Sequence, residues 1–110
     1  MKFLLDTCTF LWFISASSKL PKSVKNLIVD SDNEVYLSVI SLWEVVLKTK
    51  LRKLVFPSHP TLYLSKQRER HGISPLPLDE ASIAHLVRLP SLHRDPFDRM
   101  LICQALENSL

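Results

Sequence analysis

Two short strand-like runs, each passing almost directly into a helix-like segment, constrain this chain more than any other feature. Phe3-Leu4-Leu5 is wholly apolar and stops at Asp6. It reads as a strand buried on both faces, central in a parallel sheet. Glu34-Val35-Tyr36-Leu37-Ser38 reads as a second short strand. A helix is expected from Thr9 through Ile14, and another from Val39 through Lys48. Ile73-Ser74-Pro75-Leu76-Pro77-Leu78 is extended, but its prolines restrict it to a short or edge strand. The order is strand, helices, strand, helices, short strand, helix, helix. That is an α/β pattern around a small parallel sheet. A length of 110 residues sets one domain with one core.

The remaining segments read by their caps and periodicity. Pro21 stands in the first turn of a helix whose Val24, Leu27 and Ile28 form an apolar stripe. Asp30-Ser31-Asp32-Asn33 reads as a solvated turn, lacking the glycine and later glutamate of a calcium loop. A loop from Val55 leads into a helix carrying Leu62 and Leu64, which Gly72 stops. Asp79 caps a helix with Leu78 and Ile83 at staple spacing, and its Ala81, Ile83, Ala84, Leu86 and Val87 are expected to face inward. Leu89-Pro90 ends it. His85 reads as a helix-face histidine, not a ligand.

Composition excludes several classes of function. A single glycine, Gly72, rules out a glycine-rich phosphate loop or dinucleotide fingerprint. Cys8 and Cys103 lack CxxC partners and read as two buried thiols, neither bridge nor zinc site. No apolar run is long enough to span a bilayer, and Asp6 interrupts the start too soon for a signal peptide. A cytoplasmic location is expected. The net charge of +3 and pI near 9.0 are compatible with a polyanion partner. Two basic runs carry much of it, Lys48-Thr49-Lys50-Leu51-Arg52-Lys53 and Lys66-Gln67-Arg68-Glu69-Arg70-His71. Both also read as solvated faces, the first complementing a helix C-terminus.

The acids are the chemical content of the sequence. Asp6 follows a strand end, where open α/β sheets collect ligands, but it also reads as a helix cap. An acid after a buried central strand needs a partner or a cation. Ser41, Glu44 and Lys48 share one face of an otherwise apolar helix. Ser41-x-x-Glu44 fits a capping box, and Glu44 to Lys48 fits an i,i+4 ion pair. His93-Arg94-Asp95-Pro96-Phe97-Asp98-Arg99 reads as a helix start, with Asp95 at the cap and Pro96 at the first position. Asp6, Glu44 and Asp98 can converge at one sheet edge. Three close carboxylates repel unless a cation neutralises them, and an oxygen-only set favours Mg²⁺ or Mn²⁺.

Leu4-Leu5-Asp6-Thr7, Ser38-x-x-Ser41-x-x-Glu44 and His93-Arg94-Asp95-Pro96-Phe97-Asp98-Arg99, in that order, resemble the motifs of a PIN-domain ribonuclease. Within that family the chain is most similar to the VapC toxins of toxin–antitoxin systems. The resemblance implies a PIN-like three-layer fold, a small parallel sheet flanked by helices. It implies a Mg²⁺- or Mn²⁺-dependent endoribonuclease with an RNA substrate, a homodimer, and neutralisation by a VapB-type antitoxin, with no membrane partner. Carried over by position, Asp6, Glu44 and Asp98 are the catalytic and metal-binding acids. Thr7, Ser41, Asp95 and Arg99 are the groups around them, Ser41 orienting the site and Arg99 contacting it or a backbone phosphate. The family's domain continues with further strands and a fourth acid. Against that pattern the single domain over residues 1–110 is C-terminally incomplete, and its last strands are expected to be missing or supplied by another chain.

Three readings follow. The first is the metal-dependent ribonuclease. The second is a truncated, non-catalytic PIN domain that only binds an antitoxin or RNA. The third is a nucleic-acid-binding module that uses the basic runs alone.

Overall fold

A computed structural model describes residues 1–90 and 95–110. His93 and Arg94, which open the third motif, lie outside the described residues. Strand β1 covers Lys2–Leu5, β2 Glu34–Ser38 and β3 Ser74–Leu76. The helices are α1 (Thr7–Ile14), α2 (Lys22–Val29), α3 (Val39–Lys50), α4 (Pro60–Arg70), α5 (Glu80–Ala84) and α6 (Pro96–Asn108). A 3-10 turn, His85–Val87, continues α5.

The sheet is parallel, in the order β1-β2-β3. Leu4 lies opposite Tyr36, Leu5 opposite Leu37, and Ser38 opposite Leu76. This is the expected α/β architecture with one correction. The central strand is β2, not β1. Among the described residues no strand covers the outer side of β1, so only Leu5 is buried there, and Phe3 and Leu4 are half-buried. On β2, Val35 and Leu37 are both buried.

The core joins sheet and helices through Leu5, Phe10, Ile28, Val35, Leu37, Val45, Leu64 and Ile73. Burial of each such side chain stabilises the fold by about 1.5–3 kcal/mol. Helix α4 contributes Leu64 and leaves Leu62 exposed. It stops at Gly72, whose φ of +66° is open to a residue without Cβ. The Gly72 N–H then donates to the Glu69 carbonyl, and the Ile73 N–H to that of Arg68.

Three further expectations are corrected. Helix α1 turns Thr7 and Phe10 inward, which leaves Cys8 exposed; only Cys103 is buried. Neither cysteine is bridged. Helix α5 is too short to present a broad apolar stripe. Its buried residue is Ser82, while Ala81, Ile83 and Ala84 are exposed, as is Val87 in the turn that follows; Leu86 is half-buried. Finally, the cap of α3 is Ser38, whose hydroxyl accepts the Ile40 N–H. Ser41 is already inside the helix, so Ser41 and Glu44 form no capping box.

Candidate functional site

The C-terminal end of β1 delivers the first acid. Asp6 is the cap of α1, and its Oδ1 accepts the Thr9 N–H at 2.7 Å. It is exposed, so the expectation of a buried acid that must be compensated does not apply to it. The cap role and a ligand role are compatible, because a carboxylate has two oxygens and several acceptor sites.

Helix α6 delivers the next pair. Asp95 caps it, with Oδ1 accepting the Phe97 N–H at 2.8 Å and the Asp98 N–H at 3.4 Å. Pro96 occupies the first helical position, as its missing N–H favours. The Phe97 ring meets Trp43 of α3 edge-on, with centroids 5.0 Å apart, so the start of α6 is docked on α3. Asp98 follows in the first turn. Asp6 and Asp98 line the same cleft, about 320 Å³ in volume, whose walls include Leu4, Leu5, Leu101 and Ile102. Of the three acids expected at one sheet edge, the fold brings Asp6 and Asp98 to one opening.

Glu44 sits apart from the lining of that cleft, although it is joined to Asp6 through the next residue in the chain. Its side chain is only 8% exposed. Oε1 lies 2.7 Å from the Thr7 hydroxyl, and Oε2 lies 2.8 Å from Lys48 Nζ. The Ser41 hydroxyl is 2.9 Å from that of Thr7. A hydroxyl carries one proton. Thr7 therefore gives its proton to the carboxylate, the stronger acceptor, and takes one from Ser41. The hydrogen bond to Glu44 and its negative charge raise the Lys48 pKa, against the opposing pull of partial burial. The i,i+4 pair expected from sequence is formed, and it neutralises an acid that burial would otherwise penalise.

Among the described residues, no group of three or more His, Cys, Asp or Glu side chains is assembled to hold a metal ion. Arg99 Nη1 donates to the Pro90 carbonyl at 2.9 Å, which ties the segment before α6 to the helix itself. His85, which opens the 3-10 turn after α5, places Nε2 3.3 Å from Glu107 on α6.

One residue escaped the sequence reading. Gln104 is fully buried in α6. It accepts the Ser38 hydroxyl and donates through Nε2 to the Pro77 carbonyl at 3.2 Å. It thus fastens the helix of Asp98 to the start of α3 and to the end of β3. The available signal was a lone amide within the apolar run Met100-Leu101-Ile102-Cys103-Gln104-Ala105-Leu106.

The family model described as PIN domain matches residues 3–110. Ribonuclease VapC16 of Mycobacterium tuberculosis is 36% identical to this chain over 59 residues. That match covers 54% of the chain and 42% of the relative, so the chain corresponds to less than half of that protein's length.

Proposed function

The chain belongs to the PIN-domain family, and on that premise we propose that it is a Mg²⁺- or Mn²⁺-dependent endoribonuclease of the VapC type. In this reading it is a cytoplasmic, dimeric toxin neutralised by a VapB-type antitoxin. The observation that carries the proposal is the shared cleft of Asp6 and Asp98 at the end of β1. The similarity to a ribonuclease named VapC16 supports the choice of substrate.

The donor set fits the ion. Mg²⁺ is commonly bound through one or two carboxylates, with waters and substrate phosphate completing the shell. Asp6 and Asp98 would hold it, and Glu44, engaged with Thr7 and Lys48 outside their cleft, would be the third acid only on leaving Lys48. When bound, such an ion supplies Lewis acidity at the phosphate and lowers the pKa of an attacking water. The chain's own residues do the rest. Thr7 and Ser41 fix the direction of the Glu44 carboxylate. Asp95 and Pro96 set where α6 begins, and hence where Asp98 stands. Leu101 and Ile102 give the cleft an apolar wall beside the two exposed acids.

The test is cleavage of single-stranded and structured RNA with and without EDTA, against Asp6→Asn. Cleavage that needs the ion and Asp6 supports the proposal, and equal cleavage in every arm rejects it. A second reading, a PIN domain that binds a partner without cleaving, is favoured by the engagement of both Glu44 oxygens. Antitoxin binding with no metal uptake would establish it instead.

A further inference from the structure

A second cleft, about 390 Å³ in volume, lies between α1 and the turn that ends α3. Leu11, Trp12 and Leu54 supply its apolar wall, and Cys8, Ser15, Lys48 and Lys53 its remaining lining. We propose that this cleft binds one nucleotide of single-stranded RNA, its base against Trp12 and its phosphate on Lys53.

The inference rests on the ribonuclease reading and extends it to a substrate subsite. Four observations carry it. A nucleotide is a flat, weakly polar ring joined to an anion, and this cleft pairs an indole and two leucines with ammonium groups. Bases stack on aromatic side chains with little regard to sequence, while lysines track the backbone.

The backbone that carries Lys53 is also held in place. Arg52 adopts a left-handed φ of 58°, and the Lys53 N–H donates to the Lys48 carbonyl at 2.9 Å. The chain therefore turns back after α3, and Lys53 comes to line the cleft beside Lys48.

Charge complementarity singles out Lys53. Lys48 and Lys50 lie in the last turn of α3, where cations answer the helix dipole, and Lys48 is matched by Glu44. Lys53 is beyond the helix and, among the described residues, makes no ion pair. Among the described residues its charge has no partner that would explain it.

The cleft also borders the acids. Cys8 is two residues from Asp6 in the first turn of α1. Lys48 lines this cleft, and its ammonium contacts Glu44 at 2.8 Å. A strand held here is led toward the acid site.

The experiment is fluorescence anisotropy of a labelled single-stranded RNA oligonucleotide in EDTA, where binding is read without cleavage. The variants are Lys53→Glu, Trp12→Ala and Trp12→Phe, with Lys25→Glu on α2 as a remote charge control. Lys53→Glu and Trp12→Ala are each expected to weaken binding about tenfold. Lys53→Glu should also lower the salt-dependence slope by about one. Trp12→Phe should restore most of the affinity, and Lys25→Glu should stay within about twofold of wild type. Should Trp12→Ala fail to fold, the exposed Lys53 variant and Trp12→Phe still decide the matter. Equal weakening by Lys53→Glu and Lys25→Glu would mean diffuse charge attraction and overturn the subsite, as would unchanged binding in Lys53→Glu. The two proposals fail separately. RNA bound through Lys53 and Trp12 but never cut would sink the nuclease and leave the subsite. Cleavage by a chain whose binding ignores both residues would do the reverse.

Discussion

The Thr7 hydroxyl meets the Glu44 carboxylate at 2.7 Å, across 37 positions of sequence. Thr7 begins α1 directly after Asp6, and Glu44 is buried on α3. This one bond couples the exposed acid at the strand end to the buried acid behind it. Thr7→Val keeps the shape and removes the donor, leaving Glu44 with one partner fewer. A loss of about 1–3 kcal/mol in stability is expected, with Thr7→Ser close to wild type. Urea unfolding measures both. Equal stability of all three proteins would show that the bond does not hold Glu44.

If Glu44 is a metal ligand, as proposed, Lys48 competes with the ion for its carboxylate. Removing one member of a fully buried pair costs about 3–5 kcal/mol. Lys48 is 36% exposed, which reduces the expected loss for Lys48→Met to about 1–2 kcal/mol. The same variant should bind Mn²⁺ several-fold more tightly, because Glu44 no longer holds an ammonium. Calorimetric titration with Mn²⁺ reads the affinity. Unchanged or weaker binding would mean that Glu44 takes no part in holding the ion.

Gln104 is tested through Gln104→Leu. The substitution nearly conserves volume but strands the buried Ser38 hydroxyl and the Pro77 carbonyl. The expected loss is about 1–3 kcal/mol, visible as a lower urea midpoint with an unchanged slope. A neutral result would remove Gln104 as the fastening of α6.

His71 gives the fold an acid-side weakness. Partial desolvation of the otherwise exposed ring, with the Arg70 charge beside it, holds its pKa below the ordinary 6.5. The ring packs edge-on against Phe13, with centroids 4.7 Å apart. As pH falls below 6.5 the unfolded chain takes up the proton first. The stabilisation is therefore full above that value and declines as pH falls through the lowered folded pKa. His71→Gln should flatten this arm of the stability-versus-pH curve, followed by thermal unfolding between pH 7 and pH 5.

Much of this was legible because local rules agreed with the fold. Asp6, Asp79 and Asp95 were recognisable as caps, and each accepts the N–H bonds that a cap should. β2 has the bounds its residues predict, and the pairing of Glu44 with Lys48 follows from helical spacing. The misreadings share a cause. Which side of a short element faces the core depends on what packs on it, and periodicity over a few residues does not determine that. Cys8 and Ile83 look buried by residue type and are exposed. Ser41 has the spacing of a cap, but the cap is Ser38, three residues earlier, where the strand ends. The link from Ser38 to Gln104 spans 66 positions, a separation at which spacing carries no signal.

The account turns on whether the acid-lined cleft at the end of β1 takes up a divalent ion. Electron paramagnetic resonance of free Mn²⁺, titrated into wild type, Asp6→Asn and Asp98→Asn, counts bound ions directly. The prediction is saturable uptake by wild type and a loss of at least tenfold in affinity in each variant, with folding intact. Uptake that is equal in all three, or absent from the folded wild type, would contradict it.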